Sequence, residues 1–86
     1  MALLDELTEQ LAKDVVAAMD ELGDDRFYDK VSKVLLDASP TTQEAFMTAI
    51  RALLAERRAR KFLDDALAAK RTGSAAPKAP YAGDSH

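Results

Sequence analysis

Between Ser39 and Gly73 the chain reads SPTTQEAFMTAIRALLAERRARKFLDDALAAKRTG, with Pro40 as its only internal helix breaker. Proline is tolerated in a first helical turn, where its missing N–H would have no partner in any case. The rest of the stretch is rich in Ala, Leu, Glu and Arg, so it predicts one long helix with marked ends. Ser39 is one start signal. Thr41 and Glu44 offer another within two residues, as a capping box. Thr72-Gly73 is the stop: glycine takes the left-handed conformation easily, and Lys70 and Arg71 suit the negative end of the helix dipole.

Such a rod is on the order of 45 Å long, longer than a domain of this size is wide, so other elements must flank it. Phe46, Ala49, Ile50, Leu53 and Leu54 form one apolar stripe, but its continuation leads to Arg57, Arg60 and Lys61. The apolar residues of the second half, Phe62, Leu63, Ala66 and Leu67, with Ala55 and Ala59 leading into them, fall on roughly the opposite side. Either the helix breaks near Arg57, or it continues and packs on different partners along its two halves.

Before this helix, Leu4, Leu7, Leu11, Val15, Ala18 and Leu22 recur at spacings of three and four, predicting an amphipathic helix over 2–22 that Met19 and Ala12 widen. Gly23 ends it, and Asp24 or Asp25 is placed to cap a second helix over about 25–38, with Phe27, Val31, Val34, Leu35 and Ala38 on one face and Tyr28 at its border. Short connections make sequential helices antiparallel. The expected fold is all-α: a three-helix arrangement over 1–72, helices at about 2–22, 25–38 and 40–71, the last long, followed by a disordered tail over 73–86. Helices one and two are too short to cover the whole rod, so its second half is the expected overhang.

Function classes narrow by elimination. There is no Cys, which excludes disulfides and thiolate chemistry. The only His is His86, the last residue of the expected tail, and Ser32, Ser39 and the threonines have no histidine near them in the expected ordered part, so neither a metal site nor an activated nucleophile is expected. The adjacent pairs Asp24-Asp25 and Asp64-Asp65 point about 100° apart on a helix and make no acid–base dyad. GDDRFYDK lacks the spacing of a calcium loop, and no glycine-rich phosphate cradle occurs. The expectation is a non-enzymatic chain with no cofactor. The N-terminus lacks the basic and apolar regions of a signal peptide, and no run approaches the length of a membrane span, which gives the cytoplasm as the expected compartment.

Binding is what remains. The formal net charge is −3, but residues 1–38 hold four basic and ten acidic side chains, whereas 39–71 hold seven basic and four acidic. That polarity fits pairing between the two halves, or with acids on the same helix. A nucleic-acid reading would use Arg51, Arg57, Arg58, Arg60 and Lys61 as phosphate contacts. Against it stand the acidic whole and the lack of interleaved aromatics. A protein-interaction reading uses Ala55, Ala59, Phe62, Leu63, Ala66 and Leu67, where small residues beside large ones allow close approach of a partner helix or a second copy. In the tail, Pro77, Pro80 and Tyr81 are the group a partner would recognise. The preferred reading is a small interaction module or regulator that binds a protein partner or itself, with nucleic-acid binding as the alternative.

Overall fold

The computed structural model describes residues 2–73, and it is all-helical there: α1 spans Ala2–Leu22, α2 Phe27–Ala38 and α3 Pro40–Thr72. The expected tail, with Pro77, Pro80, Tyr81 and His86, lies outside the described residues. Helical structure runs through Arg57 without interruption, so α3 does not break where its apolar side changes. The chain divides into two units, Met1–Ala55 and Glu56–His86, which are taken in turn.

In the first unit each boundary has a local cause. Gly23, at φ 65°, takes the left-handed conformation that closes α1. The Asp24 side chain then accepts a hydrogen bond from the Arg26 backbone N–H at 3.1 Å, holding the turn into α2. α2 itself starts at Phe27, two residues later than its pattern implied, and Arg26 gives it no side-chain cap. Of the two starts for α3, the earlier is realised: Ser39 Oγ accepts from the Thr42 backbone N–H at 3.2 Å, and Pro40 is the first helical residue. A cap of this kind contributes about 1 kcal/mol.

Ala12, Val15 and Met19 of α1 with Phe46 and Ile50 of α3 make the buried centre, and Phe27, Tyr28, Val31 and Leu35 of α2 pack against it. The stripe read for the first half of α3 is the one buried. For α1 the expectation needs correction. Its fully buried residues are Thr8, Ala12, Val15 and Met19, a face turned by roughly 60° from the leucine stripe at 100° per residue, and Leu7 and Leu22 are 61% and 58% exposed. Two helices must be contacted at once, and small residues at the crossing let α1 approach them closely. Thr8 is buried without cost in unmet hydrogen bonds because its hydroxyl donates to the Leu4 carbonyl at 2.8 Å. α2 is turned similarly: Ser32 is buried, Tyr28, Val31 and Leu35 are half-buried, and Val34 and Ala38 face outward. Ser32 finds its partner in Gln43, whose Nε2 donates to Ser32 Oγ at 2.8 Å.

The turn at Asp24 also predicts a pH dependence. Lys30 Nζ lies 3.0 Å from its carboxylate, and this hydrogen bond first, with that of Arg26 second, holds the Asp24 carboxyl below its ordinary range. A carboxyl lowered on folding adds stability that is present above its unfolded pKa and disappears as the pH falls through the folded one. The native chain is therefore expected to be more stable than Asp24→Asn at neutral pH, with the gap closing on acidification below the usual aspartate range. Urea unfolding at stepped pH checks this; a gap that does not change with pH would contradict it.

Candidate protein-interaction surface

The second unit is described over 56–73, the last turns of α3 and the glycine that ends them; Gly73 has φ 74°, as a helix stop should. Along this segment the helical repeat gathers Ala59, Phe62, Leu63, Ala66 and Leu67 on one side. Phe62, Leu63 and Leu67 are 38%, 46% and 43% exposed, and Ala66 is half-buried. Ala55, the last residue of the first unit, is exposed as well. The sequence-derived surface is therefore a real side of one helix, with three large apolar side chains on view. Scattered exposed apolar residues are ordinary; three within six positions on one side are not.

Two ion pairs run along the segment. Arg60 donates through Nε and Nη2 to Glu56 Oε2, at 3.1 and 2.8 Å, and Lys61 Nζ donates to Asp65 Oδ2 at 2.7 Å. Both are four-residue pairs along the helix. The Glu56 hydrogen bond raises the Arg60 pKa and the Asp65 hydrogen bond raises that of Lys61, so both cations stay charged and tied to their own helix. Arg57, Arg58, Arg60 and Lys61 are all exposed but spread over about 160° of the helix circumference. They make no narrow basic stripe, and Arg60 and Lys61 would have to leave a carboxylate to reach a phosphate. Arg51 is exposed on the first unit.

One feature of the first unit escaped the sequence reading. A groove of about 470 Å³ lies between α1 and the first half of α3, lined by Asp5, Thr8, Glu9 and Lys13 on one side and by Ala45, Thr48, Ala49, Ala52 and Leu53 on the other. Its signal was present in Ala45, Ala49 and Ala52, small residues at spacings of four and three. Ala49 was read only as part of the apolar stripe, and Ala45 and Ala52 were passed over because the larger residues beside them defined it.

Among the described residues no group of three or more His, Cys, Asp or Glu is placed to hold a metal ion, and no helix is long and apolar enough to cross a membrane. Compared with protein-family models, with curated proteins and with solved structures, the chain matches none.

Proposed function

We propose that this protein is a small non-enzymatic interaction module that self-associates through the second half of α3. The observation that carries the reading is the exposure of Phe62, Leu63 and Leu67 on one side of a helix on which Arg60 and Lys61 are already paired with Glu56 and Asp65. Burying three such side chains against a partner removes apolar surface from water at about 25 cal/mol per Å², the main favourable term in association. The local ion pairs reduce the pull of the arginine cluster toward phosphate, so protein rather than nucleic acid is the favoured partner.

Light scattering over a range of protein concentrations, at low and high salt, tests this. The expected result is a mass that rises with concentration and still does so at high salt, because apolar burial is not screened as charge pairing is. A monomer under every condition overturns the reading. A mass that rises only on adding nucleic acid, and falls back steeply with salt, would replace it with the phosphate-binding one.

A further inference from the structure

Ala68 and Ala69 are neighbours in α3 with opposite surroundings: Ala69 is 6% exposed, whereas Ala68 lies in the open. Crowding by their own helix does not separate them. The residues three and four positions away from Ala68 are Asp64, Asp65, Arg71 and Thr72; those around Ala69 are Asp65, Ala66, Thr72 and Gly73. The buried alanine has the smaller neighbours, so its cover comes from outside its own helical turns.

Phe62, Ala66, Ala69 and Gly73 follow one another at spacings of four, three and four, and therefore share one side of the helix. Burial along that side falls with distance from Gly73: Ala69 is buried, Ala66 half-buried, Phe62 38% exposed, and Ala59 exposed. The cover is most complete where the helix ends. A left-handed glycine at a helix stop, as Gly73 is at φ 74°, commonly lays the next residue against the last turns. The chain that follows Gly73 thus leaves the helix on the side of Ala69, and it is the segment placed to cover that side.

Its sequence suits the task. From Ser74 to Gly83 it reads SAAPKAPYAG, with Lys78 the only charge, so it can lie on alanine and phenylalanine without taking several charges out of water. Pro77 and Pro80 bias themselves and the residues before them toward extended backbone, at about 3.1 Å per residue. From Gly73 to Tyr81 such a segment spans about 25 Å, against about 17 Å along the helix from Gly73 back to Phe62 and about 21 Å to Ala59. With the reversal at Gly73 included, Tyr81 comes level with those two residues.

We infer that residues 74–81 return antiparallel along the side of Phe62, Ala66 and Ala69 on their own helix, with Tyr81 on Ala59 beside Phe62, and compete with a second copy for the association surface. This rests on the self-association reading above and adds its regulation. A segment of the same chain is present at a fixed effective concentration, so it holds the surface in dilute solution and yields to a second copy as the protein concentration rises.

The test is paramagnetic relaxation on the full chain. There is no native cysteine, so Ala82→Cys takes a single nitroxide label next to Tyr81. At a dilution where light scattering gives a monomer, the amide signals of Ala59 and Phe62 are expected to lose at least twice as much intensity as that of Ala69. A tail that does not return gives the reverse order, because the label is then tethered nearest Ala69 through Gly73, and that order overturns the proposal. So do losses seen only when labelled chain is mixed with unlabelled, isotope-enriched chain, which place the segment on another molecule. Tyr81→Asp, followed by light scattering, is expected to bring self-association to an at least threefold lower protein concentration. Unchanged or weaker association in that variant overturns the competition. A monomer at every concentration in both the native chain and Tyr81→Asp overturns the self-association reading instead, and the order of signal loss still decides the return along the helix.

Discussion

Phe46→Ala is expected to lower the stability of the chain by about 3–5 kcal/mol, the largest effect of any single truncation. Phe46 and Ile50 are the two largest side chains with essentially no exposure, and the rest of the buried centre, Ala12, Val15 and Met19, comes from α1. Removing the ring leaves a void where α1 meets α3, and the methyl group of Ala12 is too small to fill it. Small domains are stable by roughly 5–15 kcal/mol, with chains of this length toward the lower end, so a loss of this size approaches the whole margin. Urea unfolding followed by circular dichroism measures it. A loss below about 1 kcal/mol would mean that Phe46 is not where the packing energy resides.

The second large effect lies in a contrast within α1. Met19→Ala is expected to cost about 2–5 kcal/mol, whereas Leu7→Ala, at a position where the larger part of the side chain is already in water, should stay within about 0.5 kcal/mol. Composition alone favours the opposite order, since leucine is the usual core residue and methionine the gap-filler. Denaturant midpoints of the two variants decide it. Equal losses, or a greater one at Leu7, would mean that α1 turns its leucine stripe inward after all.

That contrast marks what was legible in the sequence and what was not. Helix number, the start of α3 and both glycine stops follow from local chemistry: caps, breakers and period act within one turn, and Ser39, Pro40, Gly23 and Gly73 each act where they stand, whereas α2 starts two residues later than its pattern implied. The buried side of the first half of α3 was equally plain because Phe46 and Ile50 dominate it. The faces of α1 and α2 were misjudged by roughly a sixth of a turn, since a helix wedged against two neighbours buries the arc between them, and hydrophobicity along one strip does not encode that angle. Small residues carry the missing information. Ala12 and Thr8 look unremarkable in a list of hydrophobic residues, yet they set how near the helices come. The same blind spot hid the groove, whose α3 side is mostly alanine. The exposed side of the half-helix was legible because Phe62, Leu63 and Leu67 are large and share one face.

The bond between Gln43 and Ser32 has a consequence for which of two shapes the chain adopts. Three helices joined by short turns can be wound with the third lying to the left or to the right of the first pair, and the two mirror arrangements hide similar amounts of oily surface. Aliphatic contacts discriminate poorly between them. A directional bond does: with the third helix on the other side, Gln43 could not reach Ser32, and the bond, with a net contribution of about 0.5–1.5 kcal/mol, would be lost. One serine and one glutamine thus help to select the handedness of the bundle.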